Sequence, residues 1–272
     1  MANRSENTQP ASLDILARVD GWPIHLSDLN STLTRIIERA RLSSDMGSGF
    51  TVFTLNLDHL VKLRTTPAFA AAYRTADLVT ADGAPVAWLS RFQSKGIRRT
   101  TGADLFVPLA NAAAQHEFPV YLFGSTIAVL TATADALRTK TAGAIDIAGL
   151  SSPSATFDPQ GREADLAIER IKASGARLCF VALGAPKQEI FAARAVAQGC
   201  TAGFVCIGAA VDFVAGAQVR APLAFQRYGL EWAWRLGNNP RRLAKRYALC
   251  AGVLFDVAVM APVRQQLAGR EI

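Results

Sequence analysis

No Asp-x-Asp pair occurs anywhere in the 272 residues, so the spacing that often holds a divalent metal on a diphosphate is missing. No Gly-x-Gly-x-x-Gly follows a strand-like run, which removes the usual fingerprint of a dinucleotide site. The four cysteines (179, 200, 206, 250) form no Cys-x-x-Cys pair and sit mostly in apolar surroundings, where cysteine behaves as a small hydrophobe. Structural disulfides are therefore not expected. Three histidines, His25, His59 and His116, lie far apart and make no His-Glu-x-x-His pattern, leaving a dedicated zinc site without support. The longest C-terminal apolar run, 248–262, falls short of the roughly 20 residues a spanning helix needs and contains Asp256, so it reads as an interfacial or core helix. The opening MANRSENTQP is polar with no apolar segment behind it, which predicts a loose terminus over 1–16 and a cytoplasmic protein without a secretory signal.

Charge is present but unevenly placed. Of the net +7, the segment from Ala215 onward carries +6, with nine Lys/Arg against three Asp/Glu. A near-neutral body over 1–216 thus precedes a basic region over 217–272, where Trp, Tyr and Phe alternate with arginines. That texture predicts a helical appendage at a membrane surface.

Within the body, short apolar runs at 51–56, 78–81, 119–123, 178–183 and 203–207 read as strands. Ala-rich stretches with three- and four-residue apolar spacing at 65–75, 84–93, 103–116, 126–140, 162–174 and 187–198 read as helices, and Ser/Pro/Gly-rich 150–161 as an exposed loop. The alternation predicts an α/β fold: a Rossmann-like, mostly parallel sheet with flanking helices, plus the small basic helical appendage. Such sheets bind ligands beyond the carboxyl ends of their strands. Polar and glycine residues fall there in series: Asn56, Asp82-Gly83, Gly124-Ser125, Gly184-Ala185, and Gly208 with Asp212.

The turn GAPKQE (184–189) delivers a helix start whose free N–H groups, with Lys187 and Gln188, suit a phosphate; an ordinary strand-to-helix turn is the alternative. Asp82 reads either as a general base at the sheet edge or as a helix N-cap, and Thr54 and Asn56 as sugar ligands or loop supports. With no Asp-x-Asp pair, phosphate charge falls to helix N-termini and the C-terminal arginines.

These segments resemble the WecG/TagA/CpsF glycosyltransferases. The likeness rests on TLNLDH (54–59), RTADLVTADGAPVAW (74–88), TGADLF (101–106), VYLFGS (120–125), GAPKQE, GAAVDFVAG (208–216), RAP (220–222) and GLEWAWRL followed by PRR (229–242). Asn239 stands where the family often has Glu before Pro-Arg-Arg, and Val211 where it often has an aromatic.

The resemblance implies an inverting, metal-independent transfer from a UDP-sugar, of N-acetylmannosamine, its uronic acid or glucose type, to a polyprenyl-diphosphate-linked saccharide at the inner face of the cytoplasmic membrane. It implies Asp82 as the base. Substrate contacts would come from Thr54, Asn56, Gly83, Asp104, Gly124, Ser125, Gly184, Ala185, Lys187, Gln188, Glu189 and Asp212, and from Arg220, Arg235, Arg241, Arg242 and Arg246. Neither metal nor cofactor is expected, an anionic membrane is the expected surface partner, nucleic acid is not, and a homo-oligomer is compatible. Two rivals remain at this stage: a nicotinamide-dependent oxidoreductase on the same kind of sheet, and a non-catalytic protein holding anionic lipid or nucleic acid.

Overall fold

A computed structural model describes residues 15–261. The loose terminus expected over 1–16 therefore lies outside the described residues except at its end, where Leu16 N–H donates to Ile24 O. Most of the apolar runs become one six-stranded sheet, in the order β4 (Leu78–Ala81), β3 (Phe50–Leu55), β8 (Gly203–Cys206), β7 (Leu178–Ala182), β5 (Val120–Gly124), β6 (Ile147–Ser151). Every pairing in it is parallel. The sequences explain this: FTVFTL, LVTA, LCFVA and GFVC are buried at every position, as strands covered on both faces must be.

Helices α1 (Leu29–Met46), α5 (Gly102–Gln115), α6 (Ile127–Lys140) and α9 (Ala210–Val214) cover one face around Phe50, Phe106 and Phe180. The other face is covered by α2 (Leu57–Thr65), α3 (Pro67–Arg74), α4 (Ala84–Arg91), α7 (Arg162–Ala173) and α8 (Lys187–Ala197) around Phe53, Phe69, Tyr73 and Phe191. Phe191 stacks on Phe123 with centroids 4.4 Å apart, locking α8 onto β5.

Several elements escape the sequence patterns. A hairpin of two three-residue strands, β1 (Ala17–Val19) and β2 (Trp22–Ile24), turns at Asp20-Gly21 with both residues at positive φ. The segment 150–161 is not wholly a loop: Leu150 and Ser151 belong to β6, an edge strand half-buried along its length and therefore lacking a continuous apolar signature. The helix expected at 65–75 is α3, which Pro67 starts at its N1 position, while α2 over Leu57–Thr65 was not among the expected helices.

The C-terminal region is helical as expected: α10 (Leu223–Arg227), α11 (Glu231–Asn238), α12 (Pro240–Phe255) and a π-helical turn, Asp256–Met260. Helix α12 packs against α2 and buries Leu243, Cys250 and Val253. Among the described residues no helix is long and apolar enough to cross a membrane.

Candidate active site

The carboxyl ends of β3, β4, β7 and β8 open into a cleft of about 640 Å³, closed on its far side by α11 and α12. Asp82 is the first residue after β4. Its N–H donates to Leu55 O at 2.8 Å, which fixes the backbone, and Gly83 at φ 85° turns the chain into α4. Asn56 caps α2: its Oδ1 accepts from His59 N–H at 3.0 Å, which leaves its Nδ2 directed to Asp82 Oδ2 at 3.5 Å. Burial pushes the Asp82 carboxyl up to about 6, against the Asn56 bond and the charges of Arg235 and Arg99. A carboxyl so poised is half-protonated near pH 6 and mostly ionised at neutrality, where it can accept a proton from a hydroxyl.

Thr54, Asn56, Asp82, Gly83, Ser125, Gly184, Ala185, Gln188, Asp212, Arg235 and Arg246 all line the cleft. Ser125 donates to Asp212 Oδ1 at 3.2 Å, joining the β5 and β8 turns. Gln188 is largely spent inside the protein. Its Nε2 donates to Glu189 Oε1 at 2.7 Å and its Oε1 accepts from Gly208 N–H at 3.1 Å, so it fixes one cleft turn against the other. Pro186 is the N-cap of α8 after a cis Ala185–Pro186 bond, one position earlier than a first-turn proline.

Six other expected contacts lie outside the lining. Glu189 is fully buried beneath the floor, raised to about 7 by that burial, with Oε2 unpartnered among the described residues. Its neighbour His59 is held neutral, lowered to about 3 by burial, and shares a 2.7 Å hydrogen bond with Tyr73, so the 3.8 Å approach of His59 to Glu189 is not an ion pair. Gly124 is a packing residue, since a Cβ there would strike the Ala182 backbone. Lys187 opens α8 and Arg241 is exposed on α12. Asp104 and Arg220 pair at 2.5 Å at the cleft's edge, and although burial opposes its charge, Arg220 holds the Asp104 carboxyl below its usual value. The side chain of Arg242 falls outside the described residues.

Other residues enter that sequence patterns did not single out for the site. Arg99 lines the cleft and bridges Glu231 at 2.8 Å and Asp104 at 3.5 Å. Thr101, Gly102 and Ala103 bring the start of the 14-residue α5 to the cleft; Thr101 accepts from Asp104 N–H, and a Cβ on Gly102 would come within 2.8 Å of the Ile207 backbone. The threonine cap three residues before Asp104 was the available signal. Trp232 and Tyr247, rings 5.9 Å apart, line the mouth.

Four cations line the cleft. Lys62 and Arg246 share Asp58, Arg99 is engaged as described, and Arg235 lies 6.0 Å over the Phe213 ring with no ion pair among the described residues. A helix start, two strand-end turns and a free guanidinium facing a carboxyl of raised pKa suit an anionic donor and a hydroxyl acceptor.

The family model described as Glycosyl transferase WecG/TagA/CpsF matches residues 17–269. The chain belongs to the WecG/TagA/CpsF family of glycosyl transferases. Membership makes it a transferase of cell-envelope polysaccharide synthesis, a family acting with a sugar-nucleotide donor and a lipid-linked acceptor. The match to the WecG/TagA/CpsF family takes in both the sheet and the C-terminal helices.

Proposed function

We propose that this transferase moves a sugar from a UDP-sugar onto the hydroxyl of a polyprenyl-diphosphate-linked saccharide, with inversion and without a metal, at the inner face of the cytoplasmic membrane. The observation that carries the reading is Asp82: a cleft carboxyl at the end of β4, raised to about 6 by burial and approached by Asn56 Nδ2. Asp82 takes the acceptor proton as the acceptor oxygen bonds to the anomeric carbon. The bond from that carbon to the UDP oxygen breaks on the opposite face, so one displacement inverts the centre. Arg235 and Arg99, with N–H groups at the start of α5 and at Gly184-Ala185, all line the cleft, and in this reading they meet the charge that develops on the diphosphate. Thr54, Ser125 and Asp212 supply hydroxyl and carboxylate partners for sugar hydroxyls. We assign catalysis to the body, 1–216, and donor closure to 217–272.

Purified protein incubated with a panel of UDP-sugars and a short-chain prenyl-diphosphate saccharide should give one mass-detectable product whose new linkage is inverted relative to the donor. Retention of configuration would sink the single-displacement mechanism. Turnover only with non-uridine donors would sink the donor assignment. Parallel arms with NAD(H) and an oligonucleotide should show neither reaction nor binding.

A further inference from the structure

The helix beside the base carries an outward aromatic stripe. Residues 84, 88 and 92 fall at four-residue spacing, so Ala84, Trp88 and Phe92 share one face of α4 and its end, while Val86, Ala87 and Leu89 are buried in the core. Trp88 is 50% exposed and Phe92 73%, with rings edge-to-face at 4.9 Å. Ala84 and Pro85 line the cleft, so the stripe starts at its rim and runs outward along a helix about 12 Å long.

Charge along the stripe's own segment has one sign. From Gly83 to Ala103 the chain has four basic residues and no Asp or Glu, within a body that is otherwise near neutral. Arg99 is engaged in the cleft, but Arg91, Lys95 and Arg98 are exposed and in no ion pair among the described residues. Gly229 lies directly against Ala84, which sets the corner between α10 and α11 beside the stripe, with Tyr228 80% exposed and Leu230 41%. Trp232, Tyr247, Arg235 and Arg246, by contrast, line the cleft.

We propose that Trp88 and Phe92, with Arg91, Lys95 and Arg98, form a face that docks on an anionic bilayer surface and sets the cleft at headgroup level. The proposal rests on the lipid-linked acceptor of the reading above. Aromatic side chains amid unpaired cations match the boundary between headgroups and acyl chains, and each cation near an anionic leaflet strengthens attachment about five-fold. A second copy fits less well. A two-fold contact through this face would bring two sets of three like charges together.

The test uses the full chain, sedimented with phosphatidylcholine vesicles and with vesicles also containing phosphatidylglycerol, at low and high salt. The wild type should bind the anionic vesicles and lose binding in salt. Trp88→Ser/Phe92→Ser and, separately, Lys95→Glu/Arg98→Glu should each weaken that binding roughly ten-fold or more. Both should transfer sugar to a water-soluble acceptor within about two-fold of wild type, since neither pair lines the cleft. Wild-type sedimentation by both variants would overturn the proposal, as would conversion of a wild-type dimer to monomer in analytical ultracentrifugation with vesicle binding unchanged. Vesicle binding lost in the variants while wild type transfers no sugar to any acceptor would instead retain the docking face and overturn the donor and acceptor assignment.

Discussion

The sheet-end wall of the cleft, with Thr54, Asn56 and Asp82, is set by the fully buried strands β3 and β4 and by main-chain bonds such as Asp82 N–H to Leu55 O and Thr100 N–H to Ala81 O. The opposite wall, with Glu231, Trp232, Arg235 and Tyr247, sits on short or amphipathic helices tied to the body by the packing of α12 on α2, which buries Leu243, Cys250 and Val253, and by ion pairs: Arg99–Glu231, Arg220–Asp104, Arg246–Asp58 and Arg64–Asp256. Partly exposed ion pairs contribute about 0–1 kcal/mol each, far less than a buried strand. The proposed proton acceptor, Asp82, therefore stands on the rigid wall and the available cation, Arg235, on the wall that opens at less cost. A transferase gains from that division, because a base must be positioned closely while the sugar-nucleotide donor must enter and its nucleotide must leave.

The comparison breaks most sharply at Asp82. Asp82→Asn should lower kcat by about 10²–10⁴-fold with little change in donor affinity or melting temperature. Near-normal turnover would remove Asp82 from the chemistry. The same carboxyl sets a pH limb: because it must be ionised to act, kcat/KM should fall about ten-fold per unit as pH drops below about 6, and Asp82→Asn should lack that limb.

On the facing wall, Arg235→Ala should raise donor KM more than it lowers kcat, with a loss of roughly 10–100-fold in kcat/KM, as expected for one charge-assisted contact. A pure kcat effect would place Arg235 with the rigid chemistry and dissolve the division between the walls.

Beneath the rigid wall, Glu189 offers a stability readout free of catalysis. Its folded-state value, about 7, lies above the ordinary 4.5, so the folded chain binds the proton more tightly and loses stability as pH rises from about 4.5 to 7. Glu189→Gln keeps an acceptor for Gln188 but cannot ionise. It should match wild type near pH 4.5 and exceed it by up to about 3 kcal/mol above pH 7 in denaturant titration. A constant difference across that range would mean that Glu189 does not titrate there.

Legibility in the sequence followed burial. Runs buried on both faces announced β3, β4, β5, β7 and β8 to within a residue or so, and the polar residues just after them fall at the cleft. The half-buried edge strand β6 and the tiny hairpin had no such run to show. Roles that depend on distant partners were equally hidden. Arg99 reaches the cleft through Glu231, 132 residues away, and Gln188 turns inward because Gly208 N–H lies opposite it. The aromatic-basic texture of the C-terminus was visible, but periodicity alone does not tell a residue facing lipid from one facing a cleft, and Trp232 and Tyr247 face the cleft.

The smallest effect expected is from chelation, and it tests which groups meet the diphosphate. The chain has no Asp-x-Asp pair, and the carboxylates at the cleft are mostly engaged: Asp58 by Lys62 and Arg246, Glu231 by Arg99, Asp212 by Ser125. A divalent ion would have to displace those partners, whereas Arg235 and the helix start of α5 can take phosphate oxygens as they stand. Initial rates in excess chelator should stay within about two-fold of those with magnesium, and rising salt should slow both alike by screening the arginines. Complete loss in chelator, restored by magnesium or manganese and not by matched ionic strength, would move the leaving-group charge from the arginine wall to a metal held by the sheet-end carboxylates.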